Sequence, residues 1–424
     1  MRRFIRGVCF AAFFAAAFTG QAQAQKALTW DEVKARFEAN NPTLRAGQIG
    51  VDESRAQEIT AYLRPNPNLT LLTDGTQIAP YHGVWRPLAG TQEQAGLAYL
   101  HERAHKRELR LQSAKDATEI TISGQADLER GLLFALRGAF VETLQARAVL
   151  QVARDNLSYW DQVLGISRDR SQAGDIAHID LDRLELQRVQ FESDLQTAEV
   201  NLRTAKIQLL MLLNDRTPID QFDLTGPFSY NDQIAPLDDF RQLAVDTRPD
   251  LKAALEAVTK AQTDHKLAVA NGSTDPTLSA WYTHNPSFNN PYDHNTLGAS
   301  VVIPLRIFDR NQGEKLRTQL DIDRNQKLLN ATQARVFSDV DSAYAMVNSN
   351  LILLRPYKAK YLEQSARVRE TARFSYEHGG AALLDFLSAE NEYRSVQLNY
   401  VNLIGAYLTA AAQLNLAVGR EVLQ

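Results

Sequence analysis

The sequence has almost no cysteine. Its one thiol, Cys9, lies within residues 1–24, which carry the features of a signal peptide. These are a basic start, an apolar core from Val8 to Phe18 and an Ala22-Gln23-Ala24 cleavage motif. The exported chain is expected to begin at Gln25 and to contain neither disulfides nor thiol chemistry. A retained N-terminal anchor is the alternative, but the apolar core is too short to span a bilayer.

Long hydrophobic runs and an excess of positive charge are also missing. No stretch after the signal approaches the roughly 20 apolar residues of a membrane helix. An exported chain of this kind is either soluble or crosses an outer membrane as a β-barrel. Without the three arginines of the signal, 43 lysines and arginines face 50 aspartates and glutamates, a net charge of −7. This balance argues against nucleic acid as a partner.

Signatures of catalysis are absent from the sequence. It contains no GxSxG, P-loop, HExxH or dinucleotide fingerprint, so the chain is expected to be neither an enzyme nor the holder of a cofactor. His101 and His105 lie one helical turn apart, but no third ligand at useful spacing accompanies them, and no metal site is predicted. The histidines near turns and loops are interpreted as polar surface residues: His178, His284, His294 and His378.

What the sequence does contain is a long internal repeat. Asp180 and Glu185 return as Asp385 and Glu390, at a constant offset of 205 residues. Such a period is too long for a solenoid and indicates one unit that was duplicated and fused. The repeat predicts three segments after the signal: a first repeat at 25–213, a connector with short elements at 214–247, and a second repeat at 248–424.

The sequence of each half predicts a long helical hairpin, at 103–213 in the first half and at 313–418 in the second. Residues 178–213 lack proline and glycine, and their apolar residues recur every seven positions, which keeps one face towards a partner helix in a left-handed supercoil. The heptad positions are Leu184, Phe191, Ala198, Ala205 and Leu212, followed in the second half by Ala389, Val396, Leu403, Ala410 and Ala417. The predicted turns of the hairpins contain Gly174, Asp175, Gly379 and Gly380.

Four short segments alternate between apolar and polar residues, as strands of a membrane barrel do. They are 68–73, 94–100, 277–283 and 296–303. Four strands cannot close a barrel, because the sheet would leave open edges in lipid. A membrane interpretation therefore requires several copies of the chain to pool their strands. A small soluble β-subdomain is the alternative.

Asp180 and Asp385 each follow a hairpin turn by about six residues. Carboxylates are favourable near a helix N-terminus, where the helix dipole attracts them. They could equally form a ring of acidic groups at a constriction of a symmetric oligomer. The two interpretations are compatible.

The paired motifs resemble the TolC-like outer membrane efflux protein family over essentially the whole mature chain. The resemblance is carried by Leu28-Thr29-Trp30-Asp31-Glu32, by Asn41-Pro42-Thr43-Leu44 with its counterpart Arg248-Pro249-Asp250-Leu251, and by Leu383-Leu384-Asp385-Phe386-Leu387. It implies a mainly α fold with a membrane β-barrel, in which a homotrimer forms a 12-stranded barrel in outer membrane lipid and a 12-helix periplasmic tunnel.

The resemblance also implies partners and a gate. The hairpin tips would meet a periplasmic adaptor (membrane fusion) protein, and an inner-membrane pump of the resistance-nodulation-division type would supply the energy. Asp385 falls where the family often carries an acidic residue near the closed aperture. Ser388 and Ala381 stand where some members have a second acid and a basic residue, so a double aspartate ring and a matching latch are not predicted.

The predicted function is a passive exit duct of a tripartite efflux system in the outer membrane. The segment from His101 to Arg110 resembles the cobalt-zinc-cadmium branch, which implies heavy-metal cations as cargo. Drug or small-molecule efflux and type I secretion remain open within the same class. A soluble periplasmic coiled-coil scaffold is the alternative from another class.

Overall fold

The structure is a computed structural model that describes residues 27–286 and 294–423. The predicted signal peptide at 1–24 lies outside these residues. In the first half the chain forms α1 (Trp30–Asn40), α2 (Pro42–Tyr62), β1 (Asn68–Asp74), β2 (Gln92–Leu100), α3 (Lys106–Ala173) and α4 (His178–Leu212). In the second half it forms α5 (Leu237–Thr247), α6 (Pro249–Asn271), β3 (Thr277–His284), β4 (Asn295–Val302), α7 (Gln312–Pro356), α8 (Leu362–Glu377) and α9 (Leu383–Val418).

The two halves repeat the same order of elements: two helices, two strands and a long helical hairpin. In the second half a π-helical turn at Tyr357–Tyr361 follows Pro356 and separates α7 from α8. The sequence predicts a long helical hairpin over 313–418, and this turn interrupts its first arm. Helix α5 occupies the end of the segment assigned to the connector and is the counterpart of α1.

A sharp corner between two helices opens each repeat, and its sequence explains its shape. Asn41 is extended, and its side chain accepts hydrogen bonds from the backbone N–H groups of Thr43 and Leu44, which caps α2. The following Pro42 occupies the first turn of α2, where its missing N–H costs nothing. In the second corner the buried Arg248 takes the place of asparagine and binds Asp250 at 2.6 Å.

The strands form one antiparallel sheet in the order β1-β2-β3-β4. Each strand begins and ends within two residues of its predicted bounds. In the sheet centre Leu97 of β2 lies opposite Leu69 of β1 and Ala280 of β3, and Ala280 lies opposite Ala299 of β4. The two repeats thus share the sheet through the β2–β3 pair, and β1 and β4 are its edges.

The helices continue the sheet in one direction. With 68 residues, α3 is about 100 Å long. Near the sheet α3 and α6 pack together, with α2 and α7 on their outer sides; farther away α4 packs on α3, and α9 packs on α3, α7 and α8. The predicted heptad residues lie in these seams, where Leu184, Phe191, Ala198 and Ala205 are buried.

Two apolar cores surround the middle of the long helices. One joins α1 to α3, the end of α4 and the connector, through residues such as Phe37, Leu136 and Leu224. The other joins α5 to α7 and α9, through residues such as Phe240 and Tyr407. A third core, close to the hairpin turns, packs the two hairpins against each other.

Among the described residues, only α9 is long and apolar enough to cross a membrane by length and composition. The sequence prediction that no such stretch follows the signal is wrong in this respect. In the apolar window of α9, 61% of the residues are buried inside the protein. This burial is typical of a core helix, since α9 packs on α3, α5, α7 and α8.

Candidate functional site

One face of the sheet is an apolar surface open to the surroundings. Leu297 of β4 is 86% exposed, Leu71 of β1 is 74% exposed, and the pairing places both in one row with Ala95 and Tyr282. We call this face the apolar belt: Leu69, Leu71, Ala95, Leu97, Tyr99, Leu278, Ala280, Tyr282, Leu297, Ala299 and Val301. An exposed apolar surface of this extent is rare on soluble monomers and indicates contact with lipid or protein.

The opposite face of the sheet carries mainly polar and small residues, with Leu72, Leu100 and Val302 as apolar exceptions. Thr283 and Ser279 of β3 lie on it, together with Ser300 of β4 and one large ring, Trp281. A Cβ atom at Gly298 would lie 2.4 Å from the indole of Trp281, so glycine is required where that ring crosses β4. The alternation of apolar and polar faces is the arrangement that a wall between lipid and water needs.

The hairpin turns lie at the far end of the helices from the sheet. Gly174 has a φ of +85° and Gly379 a φ of +75°, backbone conformations that favour glycine. The N–H of Asp175 donates to the carbonyl of Arg170 at 2.9 Å, and the N–H of Gly380 donates to that of Ser375 at 2.7 Å. Each turn therefore satisfies a carbonyl group in the last turn of the helix that precedes it.

Asp180 and Asp385 occupy the first turns of α4 and α9. The carboxylate of Asp385 accepts a hydrogen bond from the N–H of Ala382 at 3.2 Å, so this side chain caps its own helix. Asp180 lies 3.8 Å from the guanidinium of Arg183. Both aspartates are therefore placed as the helix-dipole interpretation predicts.

The two hairpins meet close to these aspartates. Phe386 stacks between Trp160 of α3, at 5.9 Å between ring centroids, and Tyr376 of α8, at 5.6 Å. Burial raises the pKa of Tyr376, and the charge of Asp180 raises it further. Asp180 thus acts on a residue of the other hairpin, which brings groups from both repeats together at this end.

A buried carboxyl group beside this contact was not singled out as a site from the sequence. Glu390 of α9 is 2% exposed, and neither of its carboxylate oxygens has a hydrogen-bond partner in the described part of the chain. Its spacing gives a signal that could have revealed it, because it follows the core residue Phe386 by one helical turn. Its repeat counterpart, Glu185, is exposed and binds Arg168 at 2.8 Å.

Burial and the neighbouring charges together set the pKa of Glu390. Burial raises the pKa of the Glu390 carboxyl to about 7, Glu370 raises it too, and Arg369 and Arg394 lower it. Arg369 binds Glu370 at 2.9 Å and Arg394 binds Asp194 at 2.6 Å, so neither cation is dedicated to Glu390. The group gains or loses its proton near neutral pH.

His105, His178 and His284 are exposed or make polar contacts. His105 is 4.0 Å from Glu108 with a largely exposed side chain, and His284 contacts Asn295 at 2.8 Å. His178 lies 3.3 Å from the hydroxyl of Ser171. Residues 27–286 and 294–423 contain no group of three histidine, cysteine, aspartate or glutamate side chains that could hold a metal ion.

Comparisons with known proteins agree with this geometry. The model of the outer membrane efflux protein family matches residues 240–420. The chain is 21% identical over 398 residues to the cobalt-zinc-cadmium resistance protein CzcC of Cupriavidus metallidurans, covering 93% of this chain and 90% of the relative. It is 23% identical over 329 residues to the pyoverdine export outer membrane protein OpmQ of Pseudomonas aeruginosa, covering 74% of this chain and 66% of the relative.

A solved structure of CusC, described in connection with transmembrane channel formation, superposes with a TM-score of 0.77 at 18% identity, over 92% of each chain. The fold is therefore that of a TolC-like channel. The match of residues 240–420 to the outer membrane efflux protein family, the full-length relative and the shared fold together identify outer membrane efflux channels as the proteins that this chain resembles.

Proposed function

We propose that three copies of this chain assemble into one exit duct of a tripartite efflux system. The apolar belt on an open four-stranded sheet is the observation that carries the proposal. In lipid, the unpaired backbone groups of β1 and β4 need partners, and another copy of the chain offers the matching edges. Three copies give 12 strands, which is within the range of known membrane barrels.

The helices support the second part of the duct. Four helices per copy continue from the four strands, so three copies would extend the barrel as a 12-helix tunnel. The polar face of the sheet and this tunnel would give a hydrated solute a continuous wet path. The chain itself performs no chemistry and supplies no energy in this proposal.

The hairpin turns are proposed to form the periplasmic mouth. Gly174, Asp175, Gly379 and Gly380 lie at the end that is farthest from the sheet, where a periplasmic adaptor protein could contact them. Asp180 and Asp385 lie in the first turns of the helices that follow these glycines and are proposed to line the aperture. A pump of the resistance-nodulation-division type in the inner membrane would deliver the cargo.

Heavy-metal cations are the proposed cargo. The support is the full-length similarity to a cobalt-zinc-cadmium resistance protein, and small-molecule export is the alternative that a second relative supports. Deletion of the gene in its native host should lower the concentrations of cobalt, zinc and cadmium that stop growth. Unchanged metal tolerance with increased sensitivity to organic compounds would favour small-molecule export.

Planar-bilayer recording tests the duct itself. Purified protein should give discrete conductance steps, and its mass in detergent should equal three chains plus the detergent. A soluble scaffold predicts instead that osmotic shock releases the protein without detergent. A stable monomer that gives no conductance would overturn the proposal.

A further inference from the structure

A cavity of about 840 Å³ opens between the two repeats, at the level of α1 and the end of α9. Its walls come from α3, α9, the start of α1 and the connector, and they include Leu133, Phe134, Phe140, Leu408 and Leu416. Pockets for small organic ligands have volumes of roughly 300–1,000 Å³, mainly apolar walls and a few polar groups that fix orientation. The cavity fits this description.

One cation in the cavity wall has aromatic neighbours and no acidic partner. The guanidinium carbon of Arg137 lies 4.6 Å from the ring centroid of Trp30 and 5.7 Å from that of Phe140. Within the described residues Arg137 forms neither a hydrogen bond nor an ion pair, although a guanidinium carries five N–H donors. Burial lowers its pKa, with weaker opposing effects from Glu421 and Asp31, but an arginine remains charged at neutral pH.

Two of the other three cations of the cavity wall are engaged, whereas Arg420 is exposed and forms no ion pair within the described residues. Arg130 donates to the carbonyl of Leu416 at 2.6 Å and binds Asp127 at 2.5 Å. Lys34 lies 3.6 Å from Glu421. Glu421 also accepts a hydrogen bond at 3.2 Å from the indole nitrogen of Trp30, which fixes the ring beside Arg137. A ligand in the cavity therefore meets two available cations, of which Arg137 is the one that lies beside the oriented ring of Trp30.

The distance of the cavity from the sheet excludes lipid of the bilayer core as its ligand. Arg137 lies about 30 residues along α3 from the end nearest the sheet, which corresponds to about 45 Å of helix. The cavity is formed by residues of one chain, between α3 and α9.

We propose that this cavity binds an organic monocarboxylate with an aromatic or alkyl body. The carboxylate accepts hydrogen bonds from the Arg137 guanidinium, and a charge-assisted pair of this kind is strong in a half-buried site. The body of the ligand lies against Trp30, Phe140 and Leu408. A cation or a neutral polar solute would leave Arg137 without a partner and binds less well.

Isothermal titration of the purified full-length protein with naphthalene-2-carboxylate tests the proposal, with naphthalene-2-methanol as the neutral probe. Wild-type protein should bind the carboxylate saturably, with one site per chain, and the alcohol at least tenfold more weakly. Arg137→Gln should weaken carboxylate binding at least tenfold and leave alcohol binding unchanged. Arg154→Gln is the matched control, because Arg154 lies on the same helix with an exposed ion pair to Glu199.

A second variant keeps the test decisive if Arg137→Gln does not fold. Ala126 lines the cavity, so Ala126→Phe reduces its volume and should abolish binding of both probes. Wild-type protein that gives no saturable heat at millimolar carboxylate would overturn the proposal. So would equal binding by wild type and either cavity variant, or an equal loss in Arg154→Gln. The titration does not involve transport, so it is independent of the proposed duct.

Discussion

At the scale of single residues, Glu390 is a buried carboxyl group without a hydrogen-bond partner in the described part of the chain. Its repeat counterpart Glu185 has the same place in the heptad pattern, yet it is exposed and ion-paired. The difference arises from packing: α9 lies against α3 and α8, whereas α4 packs on α3. Duplication therefore preserved the residue and changed its surroundings.

We expect Glu390 to make stability depend on pH. Its carboxyl ionises near pH 4.5 in the unfolded chain and near 7 in the folded one. The unfolded state thus loses its proton first, and the free energy of unfolding falls as pH rises from about 4.5 to 7, by about 3 kcal/mol per chain. Thermal unfolding of Glu390→Gln should show a smaller loss of Tm between pH 5 and pH 8 than wild type.

Glu185→Gln serves as the control for this prediction. It removes the same charge from an exposed position and should leave the pH dependence of the wild type unchanged. An identical pH dependence in wild type and Glu390→Gln would mean that Glu390 is ionised in the folded state at all these pH values.

Two substitutions separate the roles of Asp385. Asp385→Asn retains a carbonyl oxygen that can accept from the N–H of Ala382, whereas Asp385→Ala removes the cap, at a cost of about 1 kcal/mol. If the charge lines the aperture, both variants should raise single-channel conductance or reduce block by divalent cations. If the side chain only caps α9, Asp385→Asn should conduct as wild type does. Planar-bilayer recordings of the three proteins decide between the two.

At the scale of elements, the stack of Trp160, Phe386 and Tyr376 links the two hairpins. Phe386→Ala should lower the free energy of unfolding by about 3–5 kcal/mol, because it removes a fully buried ring and leaves a cavity. Phe374→Ala is the matched control, since Phe374 lies on α8 with 61% of its surface exposed. Chemical denaturation followed by circular dichroism measures both, and equal losses would contradict the prediction.

The elements themselves follow closely from the sequence, because their patterns are local. The heptads of Leu184 and Phe191 predict a buried seam, and the alternation at Leu297 and Val301 predicts a strand with an apolar face. The π-helical turn after Pro356 was missed, since a single proline near the end of a helix does not reveal how the backbone continues. Long-range contacts were missed for a different reason.

The position of Glu390 depends on which helix covers it, and heptad spacing does not specify that helix. The cavity beside Arg137 depends on residues from α1, α3, α9 and the connector, which are distant from one another in the chain. No periodicity in the sequence brings Trp30 next to Arg137. Burial and unpaired charge at such places are properties of the assembled fold.

At the scale of the whole molecule, the apolar belt decides whether the protein enters a membrane. Leu97 lies in the middle of β2 with 58% of its surface exposed. Leu97→Arg should cost about 2–4 kcal/mol at the centre of a bilayer, and we expect less protein in the outer membrane fraction after urea extraction. Gln94→Arg places the same charge on the polar face of the same strand and should be tolerated. Equal retention of the two variants would contradict a lipid-facing belt.

The open edges of the sheet have a genetic consequence. If three chains form each duct, a chain whose hairpin turns block the periplasmic mouth still assembles with its neighbours, provided that its sheet edges β1 and β4 are intact. At equal expression of wild-type and blocked chains, only about one trimer in eight would contain wild-type chains alone. An allele of this kind, with a damaged tip and unaltered β1 and β4, should therefore be dominant over the wild-type gene.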